Sequence, residues 1–143
     1  MSLKQIDHGS QQYLQMVNLR DNLLRRPIGL TFSHDELIKE IDDTLIACME
    51  DEKMLGCCIL TKLDNTTARL RQMAVADNLQ GKGVGASIMN FAENLAADKG
   101  YKKIILHARD TVIGFYEKFG YKIVGNQFIE VNLPHHSMEK DLM

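Results

Sequence analysis

Apolar residues recur along this chain in two periods, and the changes of period divide it into elements. Between residues 13 and 25, Tyr13, Met16, Val17, Leu23 and Leu24 fall at roughly helical spacing, and Pro27 stops the segment. Ser33 followed by Glu36 is a capping box, in which each side chain satisfies a free backbone N–H at a helix start. It predicts a short second helix with Leu37, Ile38 and Ile41 facing one way. Two strand-like runs follow, Thr44–Glu50 and residues 53–63, joined at the acidic turn Asp51-Glu52. The second run is apolar at both parities, with Leu55, Cys57 and Ile59 on one and Met54, Cys58 and Leu60 on the other, so both its faces should be buried.

After a turn at Asp64-Asn65, the run Thr67–Val75 changes parity partway. Ala68 and Leu70 share one parity and Met73 and Val75 the other, with Arg69, Arg71 and Gln72 between. A strand cannot switch its buried face without an extra residue, which predicts a β-bulge near Gln72. Then come a glycine-rich loop and a helix carrying Val84, Ile88, Phe91 and Leu95, closed at Gly100. Residues 103–108 read as a short apolar strand. Asp110 is placed to cap a helix over residues 111–119 that Gly120 ends, and residues 121–131 and 136–142 read as strands. The unit from 67 to 108 is long enough for a parallel crossover, whereas the hairpin before it is antiparallel. The pattern therefore predicts one α/β (α+β) domain over residues 1–143, a mixed central sheet of six to seven strands flanked by about four helices.

Composition narrows the function classes. One domain is what 143 residues make at roughly 100–200 per domain. A net charge of −2, from 17 Lys and Arg against 19 Asp and Glu, argues against a nucleic-acid binder, whose affinity comes mostly from cations on phosphates. No apolar run is long enough to span a bilayer, and MSLKQIDHGSQQ lacks the apolar core of a signal peptide, so cytoplasm is the default expectation and no membrane partner is expected. Cys48, Cys57 and Cys58 are odd in number and two are adjacent, which is no disulfide framework and a poor zinc site. They read as buried free thiols in a reducing compartment, and no metal is expected.

Gln80-Gly81-Lys82-Gly83-Val84-Gly85 lies between a strand and a helix start. Small residues there let a ligand approach the backbone, and free N–H groups with the helix dipole favour an anion. The loop lacks the Lys-Ser/Thr of a P-loop, and Ala86 breaks the dinucleotide fingerprint. On spacing alone, phosphate binding and a plain turn both remain.

The wider segment is more specific. Gln80-x-x-Gly83-x-Gly85, after a strand ending Met73-Ala74-Val75 and before a long helix, resembles motif A of the GNAT N-acetyltransferase superfamily. Phe115-Tyr116-Glu117-Lys118-Phe119-Gly120-Tyr121 resembles that superfamily's second landmark, and the tail with Pro134-His135 resembles its ElaA/YjcF-like branch. The resemblance covers about 100 residues and implies a cleft between two splayed parallel strands that admits acetyl-coenzyme A. Met73, Ala74 and Val75 would face the pantetheine arm, and the amides of Gln80, Gly81, Lys82, Gly83, Val84, Gly85 and Ala86 would hold the pyrophosphate. The bulge inferred from parity falls where the family has one. Many members carry Asn and Ala where this chain has Arg109 and Val112, so no side-chain contact carries over to position 109.

Tyr116 matches the family's usual general acid for the departing thiolate. With an ordinary phenol pKa of about 10, the rate should fall at alkaline pH. Its other reading is packing, in a stripe with Val112, Phe115 and Phe119. Candidate bases are Glu50, Glu52, His107 and His135. His107, in an apolar strand, reads first as a hydrogen-bonded structural residue, and His135 as an exposed or structural residue in the loop before the last strand. Lys82 and Lys118 are either coenzyme phosphate contacts or solvated surface lysines. An acetyl-cysteine route finds no activating His near Cys57 or Cys58. The function implied is direct acetyl transfer to a small-molecule or peptide amine, and a homodimer is compatible with it. The alternative is a non-catalytic acyl-CoA-binding sensor or scaffold, with a P-loop nucleotide binder already disfavoured by spacing.

Overall fold

The computed structural model describes residues 1–142. Seven strands form one mixed sheet in the order β1-β2-β3-β4-β5-β7-β6. They are β1 (Ser2–Ile6), β2 (Thr44–Glu50), β3 (Lys53–Lys62), β4 (Thr67–Val75), β5 (Lys103–Arg109), β6 (Lys122–Glu130) and β7 (Leu133–Asp141). The helices are α1 (Gln11–Arg20), α2 (His34–Ile38), α3 (Val84–Asp98) and α4 (Ile113–Glu117). Only β4 and β5 pair in parallel; the other neighbours are antiparallel.

Burial of Met54 through Leu60 follows from helices on both faces of β3. On one face Leu55, Cys58 and Leu60 pack with Ile88, Met89, Ala92 and Ala96 of α3. On the other, Cys57 and Ile59 pack with Tyr13 and Met16 of α1. The β4 parity switch is a bulge: Cys57 pairs with Ala74 and Ile59 with Arg71, so Gln72 and Met73 together oppose Cys58. Gln72 takes the left-handed conformation with φ 57°. Beyond it Met73 and Val75 rejoin the α3 face of Ala68 and Leu70, while Ala74 turns to the α1 side.

Several expectations are corrected. β1 has no counterpart in the sequence reading. The helix expected over 13–25 is α-helical only to Arg20 and then widens into a π-helical turn over Asp21–Arg25. That turn sets Leu23, Leu24 and Arg25 over the sheet. Ser33 and Glu36 do form the capping box, but Ile38 and Ile41 are exposed rather than buried. α2 is instead tied down by polar contacts. Arg20 and Glu40, both fully buried, meet through two bonds of 2.8 and 2.6 Å, and the Tyr13 hydroxyl donates to Glu40 at 2.8 Å. Breaking one partner of such a pair strands a buried charge, so it locks the α1 and α2 region to one arrangement. Asp110 caps no helix, because its carboxylate accepts from Gln127 and pairs with His136. The last strand starts at Leu133, so His135 is buried within β7 rather than exposed in a loop.

Candidate active site

β4 and β5 pair only from Thr67↔Lys103 to Leu70↔Leu106. Beyond that register the strands part, since β4 bends at the Gln72 bulge and β5 continues against β7 to Arg109. The opening is a cleft of about 690 Å³, floored by Leu70 to Val75 of β4 and Leu106 to Arg109 of β5. Its backbone edge on β4 has lost its parallel partner.

The glycine loop closes one end. Gly81 and Gly83 have φ of 81° and 87°, a region where a side chain is strained, and Gly83 is the N-cap of α3 without a side-chain cap. The first helical bond is from Ser87 N–H to Gly83. The amides of Gly81, Gly83, Val84, Gly85 and Ala86 therefore have no backbone partner among the described residues, whereas the Lys82 amide donates to Leu79. A row of unpaired N–H groups at the start of a 15-residue helix suits a pyrophosphate. Gln80 acts as a brace: its Nε2 donates to the Val75 carbonyl at 3.2 Å. Gln80, Gly81, Gly83, Gly85 and Ala86 line the cleft, as do Met73, Ala74 and Val75. Lys82 is exposed and Val84 turns its side chain into the core; neither is in the lining.

Tyr116 comes from α4 and lines the cleft 7% exposed, its ring edge-on to Phe115 at 5.1 Å and to Tyr121 at 6.1 Å. Its hydroxyl has no hydrogen-bond partner among the described residues. Burial, reinforced by nearby Cys58, pushes its pKa well above that of an ordinary phenol. Lys118 lines the cleft and is exposed.

Among the expected bases, His107 and His135 line the cleft, but Glu50 and Glu52 are exposed at the β2–β3 hairpin and do not. Glu130, absent from the sequence candidates, faces them from the end of β6. It lies 3.2 Å from His107 Nδ1, 3.3 Å from Arg69 and 3.9 Å from His135. Burial alone would raise the Glu130 carboxyl, but His107, Arg69 and His135 outweigh it and hold the group below the usual carboxylate range. Arg69, Arg71 and Arg109 were also missed as lining residues. Arg69 and Glu130 are 61 positions apart, and only the β6–β7 hairpin folding back beside β5 unites them.

All three cysteines are free and buried. Burial pushes Cys57 up to about 12 and Cys58 well above an ordinary thiol. No group of three or more His, Cys, Asp or Glu that could hold a metal occurs among the described residues, and no helix there is long and apolar enough to cross a membrane.

Residues 29–142 match the family profile described as an acetyltransferase (GNAT) domain. The chain is 31% identical over 108 residues to the uncharacterized N-acetyltransferase YjcF of Bacillus subtilis (strain 168), spanning 75% of each chain. The crystal structure of an aminoglycoside 6'-N-acetyltransferase complexed with coenzyme A has a similar fold, with a TM-score of 0.85 at 18% identity over 100% of this chain and 98% of that one. Escherichia coli ElaA gives 0.83 at 19% identity, over 98% of this chain and 99% of that one.

Proposed function

The chain belongs to the GNAT acetyltransferase family, and on that premise we propose that it moves the acetyl group of acetyl-coenzyme A directly to a primary amine, with Tyr116 as general acid. The observation that carries this reading is the splayed β4–β5 pair, with an unpaired β4 edge at the bulge and free loop amides at one end of the same cleft. The β4 edge at Met73, Ala74 and Val75 would serve the pantetheine arm, and the amides from Gln80 to Ala86 the pyrophosphate. The Gln80 and Lys82 amides, which donate to Asp77 and Leu79, and the Val75 carbonyl would share their existing partners.

The chemistry balances on this chain's own groups. As the amine nitrogen bonds to the acetyl carbon, the carbon–sulfur bond breaks. The amine gives one proton to the His107–Glu130 pair, and Tyr116 delivers one to the departing sulfur, leaving an acetamide and free coenzyme A. Burial keeps the Tyr116 phenol protonated across the working range, as an acid must be. Backbone N–H groups near Met73 would polarise the carbonyl, the ordinary means of stabilising a developing oxyanion. An acetyl-cysteine route is disfavoured, because at pH 7 a thiol of pKa about 12 is thiolate at only on the order of 10⁻⁵.

The acceptor is a small-molecule or peptide amine; the aminoglycoside acetyltransferase of similar fold supports an amine, without naming this chain's own. A homodimer and a cytoplasmic setting fit this function, and the free thiols suit a reducing compartment. Saturating coenzyme A should raise the melting temperature by ligand linkage. Gly83→Val should weaken that shift, because it puts a branched residue at φ 87° in the loop. Melting temperatures that stay unmoved in both proteins would remove the cleft from consideration.

A further inference from the structure

Arg25, Arg69, Arg71 and Arg109 line the cleft, against the carboxylates of Glu130 and Asp77. Three of these arginines are answered. Arg25 pairs with Glu36 at 3.0 Å, Arg69 with Glu130 at 3.3 Å, and Arg71 reaches Glu40 and Asp43 at 3.7 and 3.8 Å. Arg109 differs. Its Nη2 donates to the Leu24 carbonyl of the π-helical turn at 2.7 Å, an uncharged acceptor, and it has no carboxylate partner among the described residues. Burial, and after it the charge of Arg25, disfavour its protonated form, so a cation is held there at a cost that an anion would offset.

We propose that Arg109 seats a carboxylate of the acceptor, so that the amine this cleft acetylates belongs to an amino acid or a close derivative. A carboxylate meets a guanidinium through two parallel N–H···O bonds. Arg25, Arg69 and Arg71 are already paired with carboxylates, so the charge left to match at this guanidinium is a single one, which a carboxylate supplies. The amine end also has a place. His107 precedes Arg109 by two residues on the same face of β5, about 7 Å along the strand. Its Nδ1 lies 3.2 Å from Glu130. A compact amino acid can therefore hold its carboxylate on Arg109 with its amine toward Glu130 and His107.

This assignment rests on acetyl transfer for the word acceptor, so its test has an arm that needs no turnover. Protein saturated with coenzyme A is titrated calorimetrically with N-acetyl derivatives of the common amino acids and with the corresponding N-acetyl amino acid amides. In parallel, acetyl-CoA turnover is measured with the free amino acids and their amides. At least one acid should bind, and react, ten times or more better than its amide. Arg109→Gln should erase that ratio, Arg109→Lys should restore part of it, and the KM for acetyl-CoA should stay put. Equal treatment of acids and amides, including no binding of either, overturns the assignment. So does an Arg109→Gln that raises the acetyl-CoA KM and leaves the ratio intact, since Arg109 would then serve the cosubstrate. Acid-selective binding with no turnover of any amine would keep the carboxylate seat and sink acetyl transfer. If Arg109→Gln does not fold, the acid-to-amide ratio of the wild type and of Arg109→Lys decides.

Discussion

Tyr116 stands between packing and chemistry, since its ring is buried among aromatics while its hydroxyl has no partner among the described residues. Tyr116→Phe keeps the ring and removes only the oxygen. The melting temperature should hold or rise, and kcat should fall by on the order of 10²-fold if proton delivery limits the rate. The pH profile follows from the direction of the shift. A phenol pushed above its ordinary value keeps its proton longer than a free one, so Tyr116 imposes no alkaline limb below about pH 10. Above that pH the unfolded chain binds fewer protons than the folded one, so stability falls and a late loss of rate tracks unfolding. A Phe variant with full activity at pH 7 would leave Tyr116 as packing. Cys57 and Cys58 are the opposite case, buried with raised pKa values. Cys57→Ala and Cys58→Ala should each cost about 1–2 kcal/mol of stability through lost packing, with kcat unchanged. An acetylated thiol trapped on acetyl-CoA alone would contradict that. The place of Tyr116 beside the cleft and the burial of the thiols were readable because they depend on residue type and local motif. Glu130 and Arg109 were not, because their neighbours come from strands distant in sequence.

Among the elements, β4 was the most legible. Its switch of parity is a local property of nine residues, and the bulge it demands is where the cleft opens. β1 was illegible for a local reason. Leu3 packs toward α3 and Ile6 toward α1, and the rest is exposed or nearly so, leaving no run of alternation on this edge strand. The short α2 misled because its Ser33–Glu36 cap is a strong local signal while Ile38 and Ile41 cover nothing. α3 and α4 meet at Gly85, where a Cβ would stand 3.1 Å from the Phe115 ring. Gly85→Ala should leave stability unchanged or slightly raised, because alanine favours the helix by up to about 1 kcal/mol. It should lower kcat roughly 3- to 10-fold by moving Phe115, and Tyr116 beside it, since misplacement by about 1 Å can cost 10²-fold. Thermal denaturation beside steady-state kinetics checks both halves. A variant that only loses stability would mean the α3–α4 contact does not position the acid.

At the scale of the whole molecule, a two-sided sheet divides the labour. The α3 and α4 side supplies the apolar wall, the free amides and Tyr116, while the α1 side brings the π-helical turn and its Arg25 over β4 and β5. Apart from β1, the order of elements and the mixed sheet could be read from period and motif, because the other helices and strands carry their own patterns. Which charged groups converge could not, since that depends on how β6 and β7 fold back beside β5. The central claim is that this convergence performs transfer rather than mere binding of an acyl-CoA. The most direct test incubates the protein with acetyl-CoA and a panel of primary amines, with amino acids among them, and quantifies released thiol and acetamide product together by mass spectrometry. Transfer predicts one acetamide formed per thiol released for at least one amine. Coenzyme A that stabilises the fold while no amine in the panel gains an acetyl group would contradict it.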